Sequence, residues 1–557
     1  MEFGSWEETD VLIVGAGPVG LLLANLLGLY GVAAIVVEQL ETLIDYPRGV
    51  GLDDESLRSF QTVELANRIL PYTTPNHWMR FTTAKGRAYL SIEPRTLEYG
   101  WPRRNAFLQP KADAISLDGL QRFPYVQVLF SHSFTSLAQD GTGVVTEVTL
   151  ADGESRAIRS KYLVGADGGR SAVRKAIGVD FEGKTEPTRW LVVDLADDPL
   201  GVPYAYLHGT PRRPSVSIAL PMGVRRFEFM LLPHEDEETF NDPGAFARLL
   251  RGSIPRPEAV HVIRKRAYTH HARLASRFRV GRALLAGDAA HLMPVWQGQG
   301  FNSGIRDATN LGWKLAAIVK GLAADALLDT YEQERRGHAA AMIDLSVNAG
   351  RLFSPTVPAL AGLRDVLATV LNFAPPVKRY ITQMRFKPQP RYKTGAFLPG
   401  EDPRKKMKAL SPGGRMFPQP LVSTTNGETL RLDDVLGPWF AILCWGGDPR
   451  SYFDAFTQEY WTRLEARFVT VLPTVQLAAS SWLAGDLTIV GDTEGTLQTW
   501  FGDRPHSIVI LRPDRFVAAT CGPQAMIETT KALSGRLCTP FPVAQAAPDQ
   551  EQAELCR

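Results

Sequence analysis

The sequence predicts an α/β protein in which a parallel-sheet domain is interrupted by an inserted β-sheet, then followed by a helical segment and a separate C-terminal α/β domain. Three observations carry this. A continuous apolar run, Asp10-Val-Leu-Ile-Val14, leads straight into glycines and then into leucines at helical spacing. Between about residues 75 and 275 the texture shifts to short β runs. A Pro-, Lys- and Gly-rich stretch then precedes a last group of apolar strands. The 557 residues, 45% of them hydrophobic, suffice for two to four domains at roughly 100–200 residues each.

Taken in order, Asp10–Val14 reads as a strand buried on both faces of a parallel sheet. The turn Gly15-Ala-Gly-Pro-Val-Gly20 follows. Leu22, Leu23, Leu26, Leu27 and Tyr30 give a helix from Val19 to about Leu29, Gly31 ends it, and Ala33–Val37 is the next strand. Together these form a right-handed βαβ unit. Ser215–Leu220 and Arg226–Leu232, joined through Pro221–Val224, predict an inserted antiparallel sheet. Ile305, Ala308, Leu311, Leu315 and Ile318 restore the helical period from about residue 300, and helical patterns continue to about residue 385. Lys387–Pro390 through Ser411–Gly414 reads as a linker. Trp439–Cys444, Phe468–Leu472 and Ser507–Leu511 read as strands of the last domain, and the polar tail from Ala546 reads as mobile.

Composition excludes several functions. With 61 Lys+Arg against 59 Asp+Glu, the net charge of +2 lacks the field of a nucleic-acid-binding surface. The four cysteines, Cys444, Cys521, Cys538 and Cys556, contain no Cys-x-x-Cys, so neither a disulfide framework nor a cysteine metal site is expected. A reducing cytoplasm fits this usage. No His/Cys/carboxylate pattern suggests a metal, and no nucleophile–base arrangement suggests hydrolysis. Val11–Val37 is uncharged and long enough to cross a bilayer, but Gly15, Gly17, Pro18 and Gly20 break it, so no membrane partner is expected. The opening Met1–Ser5 reads as a vector-derived remnant and is set aside.

Gly15-x-Gly17-x-x-Gly20 lies between strand and helix, where glycines allow the tight turn, the close approach of a pyrophosphate and close helix–strand packing. The phosphates would lie on the positive helix N-terminus. Glu38 ends the second strand, placed to bind a ribose 2′-hydroxyl and opposed to a 2′-phosphate. This Rossmann-like unit alone fits either NAD or FAD. Two distant segments add to it: Tyr162–Ser171, which contains Asp167-Gly168-Gly169, and Ala283–His291, which contains Gly287-Asp288 and continues through Pro294 to Gln297-Gly-Gln-Gly-Phe-Asn302. An ordinary NAD-dependent dehydrogenase leaves both unexplained.

These three segments resemble the dinucleotide, Asp-Gly and Gly-Asp motifs of the single-component FAD-dependent aromatic hydroxylases, and the resemblance spans essentially the whole chain. It is strongest to the phenylpropionate branch, through Leu43–Arg48, Trp101–Phe107 with Gln109-Pro110, Pro294–Gly300 and Met384–Pro388. Here Pro294 is followed by Val295 and Trp296, where the wider family has a second proline. The Trp-x-Trp-x-Ile-Pro signature of the related halogenases is absent. Gly413–Phe417 and Leu432–Leu436 resemble the thioredoxin-like domain of phenol and polyketide hydroxylases, which without Cys-x-x-Cys implies no dithiol chemistry.

The resemblance implies a discontinuous FAD-binding domain at 8–75, 105–185 and 275–345, and a substrate domain at 76–104 and 186–274. A helical segment at 346–390, a thioredoxin-like domain at 391–545 and a mobile tail at 546–557 follow. It implies non-covalent FAD, a nicotinamide donor with NADH favoured over NADPH, and O2 as co-substrate. A flavin C4a-hydroperoxide would place one oxygen atom ortho to a phenol. The partner implied is a small phenolic acid, with a homodimer allowed. Asp288 would hold the ribityl chain, the backbone amides of Phe301 and Asn302 would face the flavin pyrimidine edge, and Arg48, Gln109 and Asp167 match cofactor-contacting positions. Asp53, Tyr268 and His270 are candidates for the base or relay that forms the phenolate. Arg226, at the start of a substrate-sheet strand, is the candidate for the substrate carboxylate, and Trp296 for an apolar wall. A hydroxylase of another phenolic or polyketide aromatic substrate is the alternative within this class, and a non-catalytic flavin-binding protein is the alternative of another class.

Overall fold

The N-terminal apolar run forms the strand Glu7–Val14, the leucine-rich segment forms the helix Pro18–Leu29, and Ala34–Glu38 pairs parallel with the first strand. The segment that hydropathy alone could take for a membrane span is therefore a buried βαβ unit. No helix among the described residues is long and apolar enough to cross a membrane. This computed structural model describes residues 7–83, 86–399, 412–482, 487–502 and 508–542. The expected N-terminal remnant, the centre of the expected linker and the expected mobile tail lie outside them. Two compact units result, Met1–Val319 with Tyr331–Tyr392, and Lys320–Thr330 with Lys393–Arg557.

In the first unit, parallel strands run in the order Ala283–Leu285, Ser155–Gly165, Glu7–Val14, Ala34–Glu38, Val126–Phe130. Chain order reverses on either side of Glu7–Val14, which makes the crevice beyond its carboxyl end a topological switch point. The helix Gly300–Val319 packs against Pro18–Leu29, and Gly312 makes their close approach feasible, since a Cβ there would stand 3.1 Å from Leu26.

A second, eight-stranded sheet contains the expected antiparallel strands Ser215–Ala219 and Arg225–Met230 together with Phe181–Ala196 and His261–Ala275. One of its joints, between Met79–Thr82 and Ala205–His208, is parallel. Strand alternation gives the sheet two different faces. Leu191, Val193, Phe227 and Phe229 pack with Phe240, Leu250 and Ile254 on one face, while Met79, Leu207, Val216 and Trp190 pack with Trp296 and Phe353 on the other.

The stretch beginning at Lys387 differs from the expected linker. Lys387 is buried and donates to Asp53 Oδ2 at 2.9 Å and Glu55 Oε1 at 2.7 Å, so its charge serves the core of the first unit. Composition suggested exposure because the two carboxylates lie more than 300 residues earlier in sequence.

The second unit holds a seven-stranded sheet whose centre, Ala441–Trp445, Arg467–Pro473 and Thr488–Asp492, is parallel, with Ile508–Leu511 antiparallel on Ala441–Trp445. Cys444 and Cys521 are buried free thiols, pushed by burial up to about 12 and about 11. Neither is a thiolate near neutrality, so this sheet carries no dithiol reactivity.

Candidate active site

Register brings together motifs that are remote in sequence. Val14 pairs with Gly165, and Gly165 pairs with Leu285, so the turns after three adjacent parallel strands meet at one edge. They open into a cavity of about 790 Å³, within the range of small-molecule and cofactor sites.

The glycines divide the labour of the first turn. Gly15 has φ +109°, and a Cβ there would stand 2.5 Å from Ala166 O. A Cβ on Gly20 would stand 2.0 Å from Gly15 O. Gly17, in the cavity wall, has nothing within 4 Å of its missing Cβ, so a pyrophosphate can reach the backbone at the start of Pro18–Leu29. The residues therefore fit a dinucleotide. Glu38 holds the turn by accepting from Ala16 N at 2.9 Å and Leu40 N at 3.0 Å, and it faces the same cavity.

Asp167, Asp288, Arg48, Gln109 and Phe301 also line the cavity. Asp167 accepts from Ser171 Oγ, Ala172 N and Val173 N at 2.6, 2.7 and 3.1 Å, fixing the start of the next helix. The part-exposed Asp288 and Arg48 face each other at 3.3 Å. Gln109 accepts from Gly49 N at 2.6 Å and donates to Asp113, whose carboxyl burial pushes up to about 7. Phe301 packs on Phe107 with ring centroids 4.8 Å apart. Asn302 and Gly20 stand behind the wall. Asn302 donates to Gly51 O and Gly298 O, and accepts from Asp53 N and Ser56 Oγ, tying the cavity loops to the helix Gly300–Val319. His291 is likewise structural, at 2.6 Å from Asp307 Oδ2.

The β-sheet wall has a gradient that follows from strand register. One cross-strand row runs Met79, Ala205, Ile218, Arg226, Asp194, Arg264, apolar at one end and charged at the other. The next row places Val216, Glu228 and Val192 side by side. Tyr268 donates its hydroxyl to Glu228 Oε2 at 2.9 Å, and His270 Nε2 lies 3.3 Å from the same hydroxyl. Burial pushes the Glu228 carboxyl above its ordinary value despite Arg226, drives Tyr268 well up, and brings His270 down to about 4. The group is thus a neutral imidazole, a neutral phenol and a carboxylate of raised basicity. Trp296 closes the wall through edge contacts with Trp190 at 4.9 Å and His270 at 5.1 Å. Gly350 makes room for it, since a Cβ there would stand 2.3 Å from Trp296 Nε1.

Two of the expected residues are already held by partners within the chain. Arg226 lines the cavity, but its guanidinium is held by Asp194 at 2.7 and 2.9 Å and by the carbonyls of Pro47 and Arg48. It anchors the loop that carries Arg48, with Arg264 donating to the same Pro47 carbonyl and stacking on Tyr46. Little of it is left for a substrate carboxylate. Asp53 lies behind the wall, capping the helix Asp54–Thr62 and ion-paired to Arg306 and Lys387. Burial would raise its pKa, yet the two cations outweigh burial and hold it below the ordinary value, so it is a poor base. Asp53, Asp54 and Glu55 are close enough to hold a metal ion, but Arg306, Lys387 and Arg103 already neutralise them.

Sequence reading missed Glu228. A signal existed, because Arg226 and Glu228 are two apart in a strand and share a face, with Phe227 and Phe229 facing the opposite core.

The FAD binding domain family matches residues 8–346, and the HcaD C-terminal domain family matches 414–536. The chain is 51% identical to the 3-(3-hydroxy-phenyl)propionate/3-hydroxycinnamic acid hydroxylase of Paraburkholderia xenovorans, covering 95% of this chain and 91% of that protein. It is also 51% identical to the like-named protein of Klebsiella pneumoniae, over 95% and 94%. Among solved structures, the flavin-dependent monooxygenase PieE, in complex with FAD and substrate, shares the fold at 24% identity with a TM-score of 0.80, covering 96% of this chain and 99% of that one. The chain belongs to the FAD-binding-domain family of aromatic hydroxylases that these relatives represent.

Proposed function

We propose that the protein is a flavin-dependent monooxygenase that hydroxylates 3-(3-hydroxyphenyl)propionate, and 3-hydroxycinnamate with it, ortho to the phenol to give the 2,3-dihydroxy product. The observation that carries this reading is the near-full-length similarity to relatives of that name. Non-covalent FAD, reduced by NADH, would supply the activation of O2. Gly15, Gly17 and Glu38 would hold its adenosine end, with Asp167, Asp288, Arg48 and Gln109 along its length. The backbone at Phe301, near the positive end of the helix Gly300–Val319, would stabilise negative charge on the reduced ring.

The remaining work falls to the chain's own side chains. A phenol must become more phenolate-like to attack an electrophilic oxygen. The Tyr268 hydroxyl already donates to Glu228, so its free lone pair can accept a hydrogen bond from a substrate phenol. Proton transfer through Tyr268 Oη would leave the proton on Glu228, which burial makes more basic. His270, neutral and stacked on Trp190, fixes the tyrosine. Trp296, backed by Phe353 with ring centroids 5.0 Å apart, would help exclude water from the ring. We assign the reaction to the cytoplasm, where NADH is available and where buried free thiols such as Cys444 persist.

The test is aerobic incubation of the FAD-loaded enzyme with NADH and a panel of meta-substituted phenols. Substrate-stimulated NADH oxidation with a catechol product, greatest for the hydroxyphenyl acids, is expected. Preference for a phenol without an acid side chain would redirect the substrate assignment, and bound FAD without turnover on any phenol would overturn the reading.

A further inference from the structure

With Arg226 held by Asp194 and the Pro47 loop, a charged substrate needs another receptor. The cavity wall contains five arginines, Arg48, Arg104, Arg170, Arg226 and Arg264. Arg48 faces Asp288 among the dinucleotide motifs, and Arg226 and Arg264 are spent on the Pro47 loop. Arg170 is exposed beside Asp167, at the dinucleotide edge. Arg104 differs from all four. It lies on the strand Arg104–Phe107, in a small sheet with Gly51–Asp53, and its guanidinium spends one donor, Nε, on His77 O at 2.9 Å.

No carboxylate among the described residues forms an ion pair with Arg104. Burial alone pushes its guanidinium down to about 10, a shift that an adjacent anion would oppose. His77 beside it is driven by burial, and by Arg104 itself, to about 3, so it stays neutral and adds no second positive charge. Ala106, on the same face of this strand, belongs to the apolar cluster of Met79, Ala205, Ile218 and Trp296, and those four residues line the cavity with Arg104. Arg104 is part-buried, and a cation partly withdrawn from water beside apolar side chains is favoured by an anion that meets it. Its terminal NH2 groups form a fork suited to a carboxylate. Tyr268 stands in the same cavity on the other sheet, so a ring seated between the two sheets could offer its phenol to one and its side chain to the other.

We propose that Arg104 receives the side-chain carboxylate of the phenolic acid substrate and so sets the preference of the site for acids over neutral phenols. The inference rests on the proposed function above and names the anion subsite of that same cavity.

The experiment compares wild type, Arg104→Met and Arg104→Lys, each loaded with FAD. Dissociation constants from equilibrium dialysis and KM values are measured for 3-(3-hydroxyphenyl)propionate and for 3-propylphenol, a neutral analogue. Arg104→Met should weaken the acid about 10- to 100-fold, the range for a lost charge-assisted contact, and leave 3-propylphenol within about threefold. Arg104→Lys should recover part of the acid's affinity while keeping acid selectivity. Equal losses for both compounds, or no loss for the acid, would overturn the proposal even where wild type hydroxylates the acid. If Arg104→Met does not fold, a raised acid KM in Arg104→Lys with the 3-propylphenol KM unchanged supports it, and an unchanged acid KM, or equal increases for both compounds, overturns it. Wild type that hydroxylates neither compound would instead refute the functional reading beneath it.

Discussion

Glu228→Gln isolates the proposed relay, because glutamine keeps an oxygen that can accept the Tyr268 hydroxyl, now bonded at 2.9 Å, while losing basicity. General-base assistance contributes roughly 10²–10⁴-fold, about 2.7–5.5 kcal/mol of barrier. Glu228 is buried and raised, so in the wild type hydroxylation should fall as pH drops through its folded pKa, above the ordinary glutamate value of 4.5. In Glu228→Gln that limb disappears, and activity should instead climb with pH toward ionisation of a free phenol, at about pH 10. The assay is catechol formed per NADH consumed between pH 5.5 and about 9.5, by chromatography beside absorbance. The variant should form at least about 100-fold less product near neutrality, with NADH still oxidised and the electrons released as peroxide. An unchanged pH profile with unchanged coupling would refute the relay.

Other consequences are equally checkable. Gly17→Val should fold yet lose bound FAD, because its side chain enters open space in the cavity, whereas Gly20→Ala should lose both, its Cβ falling 2.0 Å from Gly15 O; flavin absorbance and thermal melting separate the two. Lys387→Met leaves Asp53 and Glu55 to Arg306 alone and should cost roughly 3–5 kcal/mol in chemical denaturation. Both carboxyls sit below their ordinary values, since Arg306 and Lys387 outweigh burial. Their contribution to wild-type stability is therefore present above about pH 4.5 and lost as pH falls through the folded values. Melting curves of the variant should accordingly fall less on acidification than those of wild type. Cys444 and Cys521, pushed to about 12 and about 11 by burial, should resist iodoacetamide at pH 8 in the folded protein and react once it is denatured.

The parallel sheet and its dinucleotide turn were legible because they are local: Val11–Val14, three glycines and Glu38 lie within one βαβ unit. Asp167 and Asp288 were legible as motifs, though only register explains why they meet Gly15. The substrate half was harder. Its residues come from strands far apart in sequence, and a charged side chain in a strand does not announce whether a partner already holds it. Arg226 and Arg104 look equivalent on paper. Asp194, 32 residues before Arg226, claims the first, while among the described residues no carboxylate claims the second. Lys387 is a parallel case: its Pro-rich context reads as linker, while Asp53 and Glu55, remote in sequence, hold its ammonium in the core.

The proposed reaction inserts one oxygen atom from O2 into a hydroxyphenyl acid bound in this cavity. Its most direct test is the mass spectrum of the product formed from 3-(3-hydroxyphenyl)propionate by the FAD-loaded enzyme with NADH under 18O2. The expected product is a 2,3-dihydroxy acid carrying one heavy oxygen, at the position ortho to the original phenol. A product bearing oxygen from water, or NADH oxidation that yields only peroxide with this substrate, would contradict it.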